Sequence, residues 1–289
     1  MGATVRAARE AVAVRLAAAG VPSPTVDADL LLEAALGLSR TELLLAGSRR
    51  LDAAEAGRLA SLAARRAARE PLQHVLGAAH FYGLDLAVDR RVLVPRPETE
   101  RLVELVLHEV AAVRRRGGSA ARVPVVLDVG TGSGAVALAV KAEAPAAEVW
   151  GLDVAEDALA VARANARALG LGVRFVRWDL LDAPAAREVV ARCHVLVANL
   201  PYLPNSDAAG LTPEVAADPP GALFGGETGA EEAERLTEQA WPLLQPGALL
   251  ALELDPRNVH GLAARLAAWR EVTILPDLTG RDRFLVARR

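Results

Sequence analysis

The sequence is poor in sulfur and in aromatic rings. Its 289 residues hold one cysteine, one methionine, four phenylalanines, two tyrosines and four tryptophans. The single thiol, Cys193, excludes an internal disulfide and fits a reducing cytoplasm. With aromatics at 3% and apolar residues at 52%, a core has to be built from Ala, Leu and Val. No stretch approaches the roughly 18 uninterrupted apolar residues that a membrane span needs, so no membrane association is expected. The N-terminus, MGATVRAAREAVAVRLAAAG, has scattered arginines and no continuous apolar core, and does not read as a signal peptide. A large excess of one charge is missing too. The formal net charge of −3 argues against coating nucleic acid by bulk electrostatics. Five scattered histidines and one cysteine give no metal-ligating cluster.

What is present divides in two. Residues 1–77 read as helices only. Val5–Ala19 is a helical stretch ending at Gly20, and Ser23-Pro-Thr-Val-Asp27 opens a second helix with Leu30, Leu31, Leu32, Ala35 and Leu36 on its buried side. A third helix begins near Thr41, and Asp52-Ala-Ala-Glu55 has the form of a cap and first turn for a fourth. A small helical bundle is the expected package. In residues 78–98, LDLAV and RVLV alternate like short strands, predicting a connecting hairpin. Thr99 or Glu98 then opens a helix that ends before Arg114-Arg-Arg-Gly-Gly-Ser, which reads as a loop.

A second domain is expected over residues 99–289, and from Val123 onward strand and helix patterns alternate. VPVVLDVG, AEVWGLDV, VRFVRWDL, HVLVANLP and GALLALEL are apolar runs of strand length. The intervening helices, at 135–144, 156–169, 184–191 and 230–244, imply a parallel sheet covered on both faces. The tail differs: EVTIL and RFLVAR are joined by a turn around Thr279-Gly280, and so short a link requires an antiparallel pair. Seven strands with an antiparallel last strand make an α/β arrangement similar to the Rossmann-like class I methyltransferase fold.

Val125-Val-Leu-Asp-Val-Gly-Thr-Gly-Ser-Gly134 is a strand, a glycine turn and a helix start. Gly130, Gly132 and Gly134 allow positive φ and close approach of a ligand, with Thr131, Ser133 and the helix N-terminal amides beside it. Gly130-x-Gly132-x-x-Ala135 formally fits a dinucleotide fingerprint, with Asp153 as the ribose acid. S-adenosyl-L-methionine fits as well, and two further acids favour it. Asp128 precedes the first glycine, where it orients a methionyl group in methyltransferases. Asp179 closes the third strand, where it can accept from an adenine amino group, with Leu180 against the adenine face. Asp153 and Asp179 also make sense as plain strand-end acids, and Trp178 reads as core.

Asn199-Leu-Pro-Tyr202 ends the fourth strand, and the carboxyl ends of parallel strands are where ligands sit. An Asn-x-Pro-Tyr there suits methylation of an sp² nitrogen, whose delocalised lone pair makes it a poor nucleophile. The Asn199 side-chain oxygen and the Leu200 carbonyl supply two acceptors for the two N–H groups of an amide or aromatic amine. They fix its direction and favour positive charge developing on nitrogen. Pro201 drives residue 200 towards extended geometry, and Tyr202 offers a flat surface to a planar group. A polar turn after a strand is the bland alternative.

Asn199-Leu-Pro-Tyr202, LDVGTGSGAVAL and Val94-Pro-Arg-Pro-Glu-Thr-Glu100 together resemble the HemK/PrmC protein-(glutamine-N(5)) methyltransferases. The resemblance extends over Glu70-Pro-Leu-Gln-His-Val-Leu-Gly77, Phe81-Tyr82-Gly83 and Asp218-Pro-Pro-Gly-Ala-Leu-Phe-Gly-Gly226. It implies a class I peptide-chain release factor as protein partner, methylated on the glutamine of its Gly-Gly-Gln loop. It also implies an N-terminal domain that helps dock the partner and an active site near Arg96 and Glu98; the target glutamine is expected to enter between the hairpin near Phe81 and the Asn199–Tyr202 turn. Arg49, Arg50, Arg65, Arg66 and Arg69 suit such docking, though a solvated helix face or, for Arg96 and Glu98, an inter-domain salt bridge explains these charges as well. The family usually has proline where Leu200 stands; the backbone acceptor survives the exchange. Asn-Leu-Pro-Tyr is also the form associated with ribosomal RNA adenine dimethyltransferases.

Four readings follow: the protein-glutamine methyltransferase, acting on a release factor or on another protein's glutamine; an adenine amino methyltransferase; a nicotinamide oxidoreductase; and a binding module without activity. Few aromatics for base stacking and no evident wedge for extruding a base count against direct contact with nucleic acid. The oxidoreductase leaves Asn199–Tyr202 unexplained, and intact Asp128, Asp153 and Asn199 speak against a dead module.

Overall fold

The computed structural model describes residues 2–116 and 123–289. The chain forms two compact units, one of Met1–Ala78 with Leu211–Ala217, the other of Ala79–Gly210 with Asp218–Arg289. Among the described residues no helix is long and apolar enough to cross a membrane.

The first unit holds α1 (Val5–Ala18), α2 (Pro24–Leu36), α3 (Arg40–Leu45), α4 (Ala53–Ala67) and α5 (Leu72–Leu76). Two helices start with reciprocal capping boxes, Ser39 with Glu42 and Asp52 with Glu55, which satisfy amides a helix start leaves unpaired. Val5, Val12, Leu16, Leu31, Leu32 and Leu59 are among the buried core residues; Leu30 and Leu36 are only half-buried. The arginines considered for docking are tied within the unit. Arg49 pairs with Glu55, Arg50 donates to the Gly2 carbonyl, and Arg65 pairs with Glu70. Arg66, 4% exposed, bonds Asp27 at 2.7 Å and Glu214 at 2.9 Å. Arg69 grips both oxygens of the same Glu214, at 2.5 and 2.7 Å. Glu214 lies in α10 (Pro213–Ala216), a segment that sequence patterning had not distinguished from the second unit.

The second unit begins with the hairpin of β1 (Ala78–Phe81) and β2 (Leu84–Ala87). The expected pairing of LDLAV with RVLV is therefore corrected. Tyr82 and Gly83 both have positive φ, the conformation a two-residue hairpin loop needs. Val92 and Val94 are instead buried with Ala158 and Val161, so their alternation reflects packing without a ladder. A 3₁₀ turn, Pro97–Thr99, leads into α6 (Glu100–Arg116). This helix outruns its expected end: Arg114–Arg116 occupy its last turn, where cations complement the helix dipole. The remainder of the expected loop, 117–119, lies outside the described residues.

The sheet contains β3 (Val125–Val129), β4 (Glu148–Asp153), β5 (Arg174–Arg177), β6 (Val195–Asn199), β7 (Leu249–Glu253), β8 (Arg270–Pro276) and β9 (Asp282–Arg288). Their order is β5-β4-β3-β6-β7-β9-β8, with β9 antiparallel to both neighbours and the other pairings parallel. Alternation divides each strand between two cores. Leu127, Leu196 and Leu250 pack with residues of α9 (Pro184–Ala191), α11 (Glu231–Ala240) and α12 (Val259–Arg265). Val126, Val197 and Ala251 pack with residues of α6, α7 (Ala135–Glu143) and α8 (Glu156–Leu169). Small apolar side chains on both faces allow this parallel arrangement with few aromatics. The expected α/β class with an antiparallel last strand and a helical N-terminal part is the one observed.

The hydrogen bonds from Arg69 and Arg66 pull the Glu214 carboxyl down to about 2. A depressed carboxyl stabilises the fold above its unfolded value and loses that contribution as pH falls through the folded value. Glu214→Gln should therefore lower the stability of the first unit at pH 7 by about 1 kcal/mol, allowing for partial solvent screening. Denaturant melts at a series of pH values should show the deficit shrinking as pH falls from 4.5 towards 2.

Candidate active site

The carboxyl ends of β3, β4 and β6 bring most of the sequence-predicted residues together. Asp128, on β3, is 2% exposed. Its Oδ2 accepts from the Thr131 hydroxyl at 2.7 Å and from the Ala137 amide at 3.1 Å, so it pins the glycine turn to the first turn of α7. Burial pushes this carboxyl up to about 7 against those two bonds.

Asp153 ends the adjacent strand. One oxygen accepts from the Gly132 amide at 2.9 Å, the other from Ala155 at 2.9 Å. It thus acts as a strand-end cap and a tie to the glycine turn at once. Burial raises its pKa, opposed by these amides. Each carboxylate oxygen has two acceptor sites, which leaves capacity for further donors.

The glycines differ in what they permit. A Cβ on Gly130 would lie 2.9 Å from Leu200 Cδ2, so glycine lets the turn and the end of β6 touch. A Cβ on Gly134 would press on Leu138, Phe175 and Ala162. At Gly132, with φ +55, a Cβ would meet nothing within 4 Å, so the middle of the turn faces open space. Ser133 is buried, and its carbonyl accepts from Asn165 Nδ2. The open glycine turn, flanked by Asp128 and Asp153, leaves room for a ligand to approach the backbone closely.

Asp179 stands two residues beyond β5, half-exposed and 2.7 Å from Arg235. Leu180, at φ +50, is buried among the core residues of the sheet. Its side chain packs there, and its left-handed backbone re-aims the chain after Asp179. Trp178 stacks on Trp150 with ring centroids 6.4 Å apart, as a core residue should.

Asn199 ends β6, directly opposite Glu253 of β7. Its Nδ2 donates to the Thr99 hydroxyl at 3.0 Å, and that hydroxyl donates to Glu253 Oε2 at 2.8 Å. Thr99 and Glu253 are both buried. Burial pushes the Glu253 carboxyl up to about 7, and burial also raises the Tyr202 phenol to about 12. Neither Thr99 nor Glu253 was singled out from the sequence as a site residue. The available signal was the threonine of Val94–Glu100 and the one acid within an apolar strand, GALLALEL.

The turn after β6 is held by backbone. Leu203 N donates to Leu223 O at 2.9 Å, Gly225 N to Leu203 O at 3.0 Å, and Asn205 N to Gly226 O at 2.8 Å. A Cβ on Gly225 would come within 2.2 Å of the Pro201 carbonyl oxygen, and one on Gly229 within 2.2 Å of that of Tyr202. The Asp218–Gly226 segment is thus a glycine-lined brace under Pro201–Leu203.

Arg96 and Glu98 meet different ends. Arg96 bonds Asp218 at 2.7 Å, clamping its own segment to the brace inside the second unit, so it is not an inter-domain bridge. Glu98 is exposed. Phe81 is 1% exposed and sits in the core with Leu86, Leu102 and Val106, so its part near the site is to anchor the hairpin from within. On a two-residue hairpin its strand face turns inward.

Known proteins resemble this chain in both fold and sequence. Residues 126–217 match the family model described as a methyltransferase domain, and residues 7–77 that described as the PrmC N-terminal domain. The catalytic domain of human Mettl16, solved with an RNA hairpin, superposes with a TM-score of 0.58 over 78% of this chain and 79% of that one, at 16% identity. A human methyltransferase 10 domain containing protein gives 0.50 over 72% and 88%, at 17% identity. These likenesses establish the fold alone, that of a class I methyltransferase. Sequence goes further. A release factor glutamine methyltransferase of Deinococcus radiodurans is 48% identical over 95% of both chains. That of Moorella thermoacetica is 39% identical over 99% of both. The chain belongs to the release factor glutamine methyltransferase family.

Gly225→Ala should push the Pro201 carbonyl and lower methyl transfer by about tenfold or more, since displacements near 1 Å can cost up to about a hundredfold. Gly172→Ala, where a Cβ would meet nothing within 4 Å, serves as the control. It should leave turnover and thermal midpoint unchanged.

Proposed function

We propose that this chain methylates the side-chain amide nitrogen of a release-factor glutamine, the one in the Gly-Gly-Gln loop of class I factors, with S-adenosyl-L-methionine as methyl donor. The observation that carries the reading is the orientation of Asn199: its NH₂ is committed to Thr99, which turns its carbonyl oxygen to the other side as an acceptor. End-to-end identity with relatives of that name supports the substrate. Such a substrate belongs to translation and puts the reaction in the cytoplasm.

The cofactor supplies an electrophilic methyl on a sulfonium sulfur. The protein's part is positional. Asn199 Oδ1 and the Leu200 carbonyl each accept one N–H of the glutamine amide, aiming the nitrogen lone pair along the transfer axis. The same two oxygens stabilise positive charge as it develops on nitrogen. Tyr202, a phenol that is neutral near pH 7, flanks the planar amide, and Pro201 keeps the Leu200 carbonyl extended. The proton is shed after transfer, so no strong base is needed. On the cofactor side, Gly130, Thr131, Gly132, Ser133 and Gly134 form the turn beneath the methionyl group, and Asp128 sets its position. Asp153 accepts from the ribose hydroxyls and Asp179 from the adenine amino group.

The Mettl16 domain solved with a 3′UTR hairpin shares the fold at 16% identity and lends no support to a nucleic-acid substrate.

Asn199→Ala should lower kcat by about a hundredfold, with the cofactor Kd changed little. Asp153→Ala should raise the cofactor Kd by about tenfold through lost hydroxyl and turn-amide bonds. Calorimetry and transfer of labelled methyl to an unmethylated release factor separate the two. Loss of binding and turnover in equal measure with Asn199→Ala would contradict this division of roles.

A further inference from the structure

Asn199, half-buried, lies at the end of a chain of three groups whose other two, Thr99 and Glu253, are buried; only Asn199 has been given a role above. Glu253 is directly across β6–β7 from Asn199, and Thr99 comes from the turn that opens α6. Thr99 Oγ1 stands 2.8 Å from Glu253 Oε2 and 3.0 Å from Asn199 Nδ2. A hydroxyl has one proton to give, and a carboxylate has none. An ionised Glu253 therefore commits the Thr99 proton to itself. Thr99 can then only accept from Asn199, and the carboxamide must present its NH₂ inward and its oxygen outward.

We propose that Thr99 and Glu253 are positioning residues that set which end of the Asn199 carboxamide faces the substrate. Protonation of Glu253 reverses the relay. The acid O–H donates to Thr99, the Thr99 proton turns to Asn199 Oδ1, and the amide group flips its NH₂ towards the substrate. Donor then faces donor, and the glutamine amide is no longer held. This assignment rests on the reading of Asn199 as an acceptor for an amide N–H.

The surroundings of Glu253 suit a carboxyl that changes state near neutrality. Burial raises it, with Glu98 adding to the effect. The Thr99 bond, Arg283 of β9 and Arg96 of the segment before α6 oppose the rise. Tyr202 and Asp255 face the same region. A carboxyl held up in this way is ionised and productive above about 7 and protonated below it. Turnover should therefore fall as pH drops through that range. Asp128 titrates over the same range, so a pH–rate profile alone does not isolate Glu253.

The test reads Asn199 itself. The chain has four asparagines, Asn165, Asn199, Asn205 and Asn258, so ¹⁵N-asparagine labelling gives four side-chain NH₂ pairs, with Asn199 assigned by its loss in Asn199→Ser. In the unsubstituted protein that pair should shift with a midpoint near pH 7. The shift should vanish in Thr99→Val and in Glu253→Gln. Thr99→Val should lower kcat by about tenfold or more with KM and cofactor Kd within about twofold, and Thr99→Ser, which keeps the hydroxyl, should recover most of it. An Asn199 titration that persists in Thr99→Val, or Thr99→Val turnover within about twofold of the unsubstituted protein at pH 8, would overturn the proposal. If the unsubstituted protein puts no methyl on the release-factor glutamine, the substrate reading fails, and the NMR titration still decides the relay.

Discussion

A carboxamide carries a donor at one end and an acceptor at the other, and only its surroundings decide which end a ligand meets. In this protein the deciding bond runs from Asn199 Nδ2 to the Thr99 hydroxyl. The elements around it serve to place its two ends. β6 sits between β3 and β7, so Asn199 emerges beside the glycine turn on one side and Glu253 on the other. The Pro97–Thr99 turn delivers the hydroxyl, and Glu100 at the start of α6 accepts from the Tyr82 amide of the hairpin at 2.8 Å. The hairpin, the α6 entry and the sheet are thereby joined around one orientation of one side chain.

The second constraint is closeness of backbone. Three glycines allow contacts that no side chain could: Gly130 against Leu200, Gly225 against the Pro201 carbonyl, and Gly229 against the Tyr202 carbonyl. They hold Leu200–Leu203 from two directions, so its carbonyls are set before any substrate arrives. Preorganised acceptors of this kind need no rearrangement when charge develops on a reacting atom. Leucine at position 200 fits the same scheme: it is 6% exposed and packs in the core, which fixes the residue by burial where a proline would fix it by its ring.

Most of the architecture was legible because it rests on local signals. Strand-length apolar runs, the Gly130–Gly134 turn, Asn199–Tyr202 and the Asp52–Glu55 cap are written in neighbouring residues and appear where the sequence puts them. What was not legible depends on partners far apart in the chain. Glu253 is one acid in an apolar strand, and only the β6–β7 register and Thr99, 154 residues away, give it a role. Thr99 read as a helix opener because its hydroxyl has no local partner. The burial of Phe81 likewise depends on the hairpin turning its strand face inward onto Leu102 and Val106. Glu214 joins the helical unit through Arg66 and Arg69, about 145 residues distant, and composition carries no trace of that.

The most direct measurement is a structure of the complex with S-adenosylhomocysteine and an unmethylated class I release factor, resolved well enough to place the glutamine amide. Glutamine Nε2 should lie within about 3 Å of both Asn199 Oδ1 and the Leu200 carbonyl oxygen, with Asn199 Nδ2 still bonded to Thr99. An amide held by other groups, or Asn199 turned with its nitrogen towards the glutamine, would contradict this arrangement.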